Sequence, residues 1–248
     1  MQATFPTLHP TPIGSMRTAL MRAVLVISML VPPAASADPA MAGKWDVASF
    51  QLDGSFAATH AAPLPHKGIT FTFLDRPDTL FLITSHPSYR ERLLGDLTGK
   101  SIVARIGVDV SPGSQFEYFG EPDGSGRGAT VRFYFEANAS LGEITCPCQD
   151  KGNASFWYSN PMAVDLDALV YADVTFTVSL HPSMWADAQE RPGDDDPVQA
   201  ALFAQAVRDV GFIGFSFGGG RHFHNGVGIR AGTGTGSFNV FSYEASPP

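Results

Sequence analysis

Three side chains that could bind a sugar alternate with apolar ones along residues 129–137, ATVRFYFEA. In an extended strand Arg132, Tyr134 and Glu136 share one face, because successive side chains point to opposite sides. An aromatic ring stacks on the apolar face of a pyranose, while charged groups bind its hydroxyls. We therefore predict that these three residues bind a ligand, together with Trp157. The alternative is an ordinary solvent face that carries a cross-strand ion pair.

A second candidate site follows the glycine-rich stretch at residues 211–220. Arg221 and Asn225 are predicted to bind a ligand there, because loops at the ends of a sandwich commonly carry binding residues. If the segment is extended, His222 and His224 face the same way and can share a metal ion. The alternative is a tight glycine loop with two solvated histidines, since no third ligand is evident nearby.

A third candidate is the acidic turn at residues 193–197, GDDDP. Carboxylates such as Asp194 and Asp195 are the hard oxygen ligands that calcium prefers, so a structural calcium ion is one interpretation. Helix capping explains the same residues more simply. Asp196 can cap a helix whose first position is Pro197, and acidic side chains stabilise the positive end of a helix. No other cofactor is predicted.

The cysteines of the chain are Cys146 and Cys148, in the order Cys-Pro-Cys. They can form a small-ring disulfide, remain two free thiols, or hold a metal as a pair. A ring this small is strained, and a strained disulfide is easily reduced. Two thiolates alone do not complete the four-ligand set of a structural zinc site. A loop disulfide is the interpretation that we favour.

The elements that must position these residues are strands. Short alternating runs recur along the chain, separated by Gly, Pro, Asp and Asn, which is typical of a sandwich or barrel. Residues 101–109 place Arg105 and Asp109 opposite an apolar row, and we expect these two beside the Arg132 face. Residues 68–74 and 79–84 flank a turn and are expected to form a hairpin.

One helix is predicted near residues 197–210. Its apolar residues recur at helical spacing, and Gly211 follows its end. The predicted fold class is therefore all-β: a two-sheet antiparallel sandwich with one short helix. The chain shows neither an internal repeat nor a linker long enough to divide it, so residues 38–248 are expected to form a single domain.

The beginning of the chain has the order of a secretory signal peptide. A short basic segment starts at Met16, an apolar run spans residues 23–31, and small residues precede Asp38. Residues 1–37 are therefore interpreted as a leader and signal peptide, with Met16 as an alternative start. The apolar run is too short to span a bilayer comfortably. We expect a secreted or periplasmic protein that is not inserted in the membrane after cleavage.

The charge balance excludes some partners. The whole chain has 16 basic and 24 acidic residues, and the predicted leader contains two arginines but no acid. Without it the balance is 14 basic against 24 acidic residues, a net charge of −10. Nucleic acids and anionic lipids are bound by basic patches, so this surface argues against both. Neutral glycans and bound cations remain compatible with it.

Several motifs resemble those of secreted bacterial β-sandwich proteins with a galactose-binding-domain-like jelly roll, the fold of many carbohydrate-binding modules. The motifs are Leu94-Gly-Asp-Leu-Thr-Gly-Lys100, Val131-Arg-Phe-Tyr-Phe135, Trp157-Tyr-Ser-Asn160, Thr175-Phe-Thr-Val-Ser-Leu180 and Ile213-Gly-Phe-Ser-Phe-Gly-Gly-Gly220. The resemblance covers most of residues 44–244. It implies a jelly roll and favours carbohydrate binding, although such folds host many functions.

Three classes of function follow. The first is an exported, non-catalytic binding protein for a glycan or small saccharide. The second is a jelly-roll polysaccharide lyase or glycoside hydrolase, which would need two carboxylates across a cleft. The third is a structural envelope or matrix protein that binds another protein. No nucleophile elbow, zinc-protease helix or phosphate loop appears in the sequence.

Overall fold

The computed structural model describes residues 41–50, 56–64, 68–119, 128–144, 151–160, 162–220 and 225–247. These residues all lie within one compact unit, Ala35–Pro248. The predicted leader (1–37) lies outside the described residues, as do Cys146, Cys148, Arg221, His222 and His224. The interpretations of these residues therefore stay predictions.

The described residues form fifteen strands and two α-helices, besides short 3₁₀ turns. The strands are β1 (Asp46–Phe50), β2 (Phe56–His60), β3 (Ala62–Pro63), β4 (Ile69–Thr72), β5 (Thr79–Thr84), β6 (Ser101–Val110), β7 (Phe116–Tyr118), β8 (Ala129–Ala137), β9 (Phe156–Ser159), β10 (Val164–Asp165), β11 (Val174–Ser179), β12 (Trp185–Asp187), β13 (Val210–Gly219), β14 (Val227–Ile229) and β15 (Gly236–Ser246). The helices are α1 (Leu166–Leu169) and α2 (Pro197–Val207).

The strands form two antiparallel sheets. The larger sheet has the order β12-β9-β8-β13-β5-β1-β2, with β10, β14 and β7 attached beside it. The smaller sheet has the order β11-β6-β15-β4-β3. Eight of these strands, numbered 1 to 8 along the chain (β4, β5, β6, β8, β9, β11, β13, β15), pair as 1-8-3-6 and 2-7-4-5. This is the strand order of a jelly roll, so the predicted all-β sandwich is confirmed.

The core lies between the two sheets and is rich in aromatic rings. Phe133 on β8 stacks on Phe176 on β11, with ring centroids 4.3 Å apart, which ties the larger sheet to the smaller one. Phe215 and Phe238 pack edge to face across the same gap, at 5.5 Å. Each fully buried ring of this size contributes about 1.5–3 kcal/mol of burial free energy. The predicted inward faces of residues 101–109 and 129–137 are buried as expected.

The predicted hairpin of residues 68–74 and 79–84 is wrong. β4 belongs to the smaller sheet and β5 to the larger, so the turn between them crosses from one sheet to the other. Strand alternation defines which side chains are buried, but both strands of a sandwich crossover bury one face in the same core. The alternating pattern is therefore the same for a crossover as for a hairpin.

Helix α2 forms where it is predicted and covers one edge of the core, but it ends at Val207, and Val210 is the first residue of β13 rather than part of the helix. The Asp196 side chain accepts hydrogen bonds from the backbone N–H groups of Val198 and Gln199, and Pro197 is at the first position. Phe203 packs edge to face on Trp157, with centroids 4.9 Å apart. In the described part of the chain, no helix has the length and apolar character needed to cross a membrane.

Candidate functional site

The predicted ligand face of β8 is buried rather than open. Arg132 is 0% exposed and Tyr134 is 3% exposed. The Arg132 guanidinium donates a 2.7 Å hydrogen bond from Nη1 to the Thr130 hydroxyl, which in turn donates to the carbonyl of Gly218. The expectation of a solvent-facing row at these residues is therefore wrong, and Arg132 is part of a buried polar contact.

Trp157 does not share a face with Tyr134. In the register of β8 and β9, Tyr134 is opposite Tyr158, while Trp157 is opposite Phe135 and points into the core. Trp157 is 0% exposed, and its indole N–H donates to the carbonyl of Ala154 at 2.7 Å. The residue that shares the face of Tyr134 is Tyr158, the neighbour of Trp157. The prediction is wrong by one residue, and a shift of one residue along a strand moves a side chain to the opposite face.

The outer face of the larger sheet carries an aromatic row. The rings of Phe81 and Tyr134 are 4.8 Å apart, and those of Tyr134 and Tyr158 are 5.2 Å apart. Burial raises the pKa of the Tyr134 phenol well above its ordinary value of 10.0, and it raises the pKa of Tyr158 in the same direction. Both phenols are therefore neutral at physiological pH and act as packing groups rather than as bases.

The carboxylate of Glu136 is engaged within the fold. One oxygen lies 2.6 Å from Nζ of Lys151, and the other accepts a 3.1 Å hydrogen bond from the Tyr134 hydroxyl. Lys151 also donates to the carbonyl of Ala137 at 2.9 Å. Because both oxygens have partners and the side chain is only 16% exposed, Glu136 offers little to a ligand from outside.

The strand expected beside this face lies in the other sheet. Arg105 and Asp109 project from β6, on the outer face of the smaller sheet, so they point away from Tyr134. The Arg105 guanidinium binds Asp173 at 2.9 Å and lies over the ring of Phe241, 5.0 Å from its centroid. The predicted mixed site on one face is therefore divided between opposite sides of the sandwich.

Asn225 lies in a loop that its side chain ties together. Its amide oxygen accepts a 2.8 Å hydrogen bond from the backbone N–H of Gly219, and its amide nitrogen donates to the carbonyl of Phe119. These contacts connect the end of β13 to the end of β7. They give Asn225 a structural role, and its predicted ligand contact stays a prediction.

The acidic turn precedes α2 as expected. Asp194 and Asp195 are both exposed there, while Asp196 makes the capping bonds described above. Within the described ranges, no three His, Cys, Asp or Glu side chains come together as a set of metal ligands. The capping interpretation of Asp196 is confirmed, and calcium at Asp194 and Asp195 stays a prediction.

The structure reveals a groove that the sequence did not indicate. It has a volume of about 480 Å³, a size common for small-molecule sites, and we call it the end groove. It lies where β5 and β8 end and β13 begins. The described residues that line it are Ser85, Pro87, Arg90, Leu94, Gly95, Asn138, Asp209, Val210, Gly211 and Phe212.

Backbone bridges hold the end groove in shape. Gly95 and Val210 exchange two hydrogen bonds, at 2.8 and 2.9 Å. The Asn138 side chain donates to a carboxylate oxygen of Asp209 at 2.8 Å, and the Asn138 backbone N–H donates to the Asp209 carbonyl at 2.9 Å. A Cβ at Gly211 would press against the Asn138 side-chain amide, so the absence of a side chain at Gly211 lets the two segments approach closely.

The end groove combines an aromatic ring with polar groups of three kinds. Phe212 is half-buried and supplies an apolar surface, while Arg90, Asn138 and Asp209 are exposed and supply a guanidinium, an amide and a carboxylate. Planar polar side chains of these types form paired hydrogen bonds with vicinal hydroxyls, and the ring can stack on a pyranose. The chemistry matches the mixture predicted for β8, at a different place.

The residues of the end groove come from distant parts of the chain. Arg90 follows a short 3₁₀ turn, Asn138 follows β8, and Asp209 precedes β13. No spacing in the sequence brings them together. The available signal was a polar residue directly after β8, Asn138, and another directly before β13, Asp209. Because β8 and β13 are antiparallel, the end of one strand lies beside the beginning of the other.

Comparison with known proteins gives two structural similarities. No family model matches the chain, and no curated protein matches it. A xylan-binding module, CBM15, superimposes with a TM-score of 0.34 and 13% identity, over 82% of this chain and 94% of that one. A point mutant of Xylanase10C from Cellvibrio japonicus, in complex with xylopentaose, gives 0.37 and 14%, over 84% of this chain and 27% of that one. Our assignment of the fold rests on the strand order described above.

Proposed function

We propose that this protein is an exported, non-catalytic binding protein and that it binds a carbohydrate in the end groove. The observation that carries the proposal is the convergence of Phe212 with Arg90, Asn138 and Asp209 in one open groove of about 480 Å³. A half-buried ring beside a carboxylate, an amide and a guanidinium can satisfy both the apolar and the polar faces of a sugar.

The carboxylate content of the groove supports binding rather than hydrolysis. Glycosidases of the common type place two carboxylates on either side of the scissile bond. Among the described residues that line the end groove, Asp209 is the one carboxylate, and Asn138 already holds one of its oxygens. A sugar hydroxyl that donates to the other oxygen of Asp209 would be bound without being activated.

The test is a glycan-array screen of the full 248-residue chain, in parallel with the Phe212→Ala variant. We expect saturable binding by the unchanged chain and a loss of at least about tenfold in Phe212→Ala, because a stacked aromatic ring carries a large share of the binding free energy. An array on which the unchanged chain binds no glycan would overturn the proposal.

Arg105→Ala is the matched control for Arg90→Ala. Both arginines are exposed, but Arg105 lies on the outer face of the smaller sheet, bound to Asp173. We expect Arg90→Ala to weaken glycan binding and Arg105→Ala to leave it unchanged. The same samples, incubated with the bound glycan, should release no reducing ends. Release that Asp209→Asn abolishes would instead support the enzymatic alternative.

A further inference from the structure

A second groove opens near Thr79, at the opposite end of β5 from the end groove. Here the larger sheet extends beyond the smaller one. β1 and β2 form the edge of the larger sheet, but on the smaller sheet β3 covers only Ile69 and Thr70 of β4. Among the described strands, none lies opposite the inner face of β2. The resulting space, which we call the edge groove, has a volume of about 350 Å³.

A bulge brings two hydroxyl groups into the edge groove. On β1 and β5, Ala48 is opposite Phe81 and Ser49 is opposite Thr79, so one extra residue lies on β5. An extra residue re-aims the side chains beyond it, which brings Thr79 to the same face as Ser49. Both side chains line the groove; Thr79 is 1% exposed and Ser49 is 9% exposed.

The hydroxyls of the edge groove are available to a ligand. No hydrogen bond joins the side chains of Ser49, Thr59 or Thr79 to another residue in the part of the chain that the structure describes. Thr79 and Ser49 are buried and Thr59 is exposed, so hydroxyls line the groove from its floor to its opening and can exchange hydrogen bonds with a molecule that supplies donors and acceptors. Val47 and Leu74 add apolar walls, and the Leu74 side chain is partly exposed at the opening.

The charge of the groove defines the class of ligand. Among its described lining residues, His60 is the one with a titratable side chain, and its Nδ1 lies 2.7 Å from a carboxylate oxygen of Asp46. A charged ligand would lose its hydration without gaining a fixed counter-ion here. A neutral ligand with several hydroxyls would instead exchange hydrogen bonds with hydroxyls that both donate and accept.

We propose that the edge groove binds one neutral polyhydroxylated unit, a single sugar ring or sugar alcohol, independently of the end groove. The proposal does not depend on the proposed function, since the two grooves share no lining residue. If both sites are occupied by units of one polymer, the two contacts strengthen each other through the effective concentration that the polymer imposes.

NMR titration of the isotope-labelled full chain tests this site with glucose and sorbitol as the neutral probes. Glucuronate is the matched charged probe, because it differs from glucose by its carboxylate. We expect saturable shifts of the signals of Thr59 and Thr79 with both neutral probes, and binding of glucuronate weaker by at least about fivefold. Equal binding of glucose and glucuronate, or neutral probes that move no edge-groove signal, would overturn the proposal.

Thr79→Val removes the buried hydroxyl while keeping the shape of the side chain. We expect it to weaken glucose binding about fivefold, the effect of one hydrogen bond, whereas Thr177→Val on the exposed face of β11 should change nothing. Leu74→Trp, which fills the groove opening from an exposed position, should abolish the shifts even if Thr79→Val does not fold. Phe212→Ala should leave the shifts of the edge-groove signals intact. Failure of the end-groove proposal can therefore be distinguished from failure of the edge-groove proposal. Unchanged binding in Leu74→Trp would contradict the site.

Discussion

At the scale of single residues, the polar side chains differ in whether the fold already uses them. Asp187, which is fully buried, accepts hydrogen bonds from the backbone N–H groups of Gln189 and Arg191, from the Arg191 guanidinium, and from the Gln199 amide. Asp209 is exposed, and among the described residues its side chain bonds to Asn138 alone. The first residue stabilises the structure, and the second remains free to bind.

Asp187→Ala should destabilise the protein strongly. The substitution leaves the buried Gln199 amide and the Arg191 guanidinium without their acceptor, and breaking such a buried pair typically costs 3–5 kcal/mol. We expect a loss of about 3 kcal/mol in the free energy of unfolding, because Arg191 is half exposed and can be rehydrated. Urea unfolding measures it.

Asp173→Ala is the control for that substitution. The Arg105–Asp173 pair has side chains that are 54% and 38% exposed, and such surface pairs contribute less than about 1 kcal/mol. A loss in Asp173→Ala as large as that in Asp187→Ala would show that burial does not govern the effect.

The buried tyrosines predict alkaline instability. Burial raises the pKa of Tyr134, Tyr158 and Tyr243 in the folded state above the unfolded value of about 10. A raised folded pKa gives stability that is complete below the unfolded pKa and is lost as the pH rises toward the folded one. Absorbance at 295 nm should therefore show these three phenols ionising together with unfolding above pH 10. Their ionisation in the folded protein, before circular dichroism changes, would contradict this account.

At the scale of elements, alternation in the sequence predicted the buried faces but not the partners. The rows at residues 101–109 and 129–137 are buried as expected, because period two is a property of each strand alone. Pairing depends on long-range contacts, so the alternation of β4 and β5 does not distinguish a crossover from a hairpin. The predicted proximity of Arg105 to Arg132 is wrong for the same reason, since their strands lie in different sheets.

The stability of helix α2 distinguishes the two interpretations of the acidic turn, helix capping and calcium binding. Asp196→Ala should lower the free energy of unfolding by about 1 kcal/mol, because the backbone N–H groups of Val198 and Gln199 lose their acceptor. Thermal unfolding with and without a chelator measures the effect. Asp194→Ala is the control, and under the capping account neither it nor the chelator changes the unfolding temperature. A shift on chelation that Asp194→Ala removes would support calcium instead.

At the scale of the whole molecule, the jelly roll could be predicted and the candidate site could not. The short alternating strands and the capped helix indicate the fold class in local terms. The end groove joins Arg90, Asn138 and Asp209 only after three chain segments meet at one end of the larger sheet. The prediction of an open ligand face on β8 is wrong because the alternation of side chains is the same in an open face and in a covered one.

The two outer faces of the sandwich offer a direct comparison of binding sites. Phe212 lies in the end groove of the larger sheet, and Phe241 lies on the smaller sheet beneath the Arg105 guanidinium. Both rings are half-buried, so their truncation to alanine removes similar amounts of apolar surface. Only one of them is expected to contact a sugar.

Titration calorimetry of Phe212→Ala and Phe241→Ala, with the glycan that binds the unchanged chain most tightly, tests the central claim most directly. The account predicts that Phe212→Ala weakens binding at least about tenfold, while Phe241→Ala binds as the unchanged chain does. Tight binding by Phe212→Ala, with the loss appearing in Phe241→Ala, would move the site to the smaller sheet and contradict the end-groove assignment.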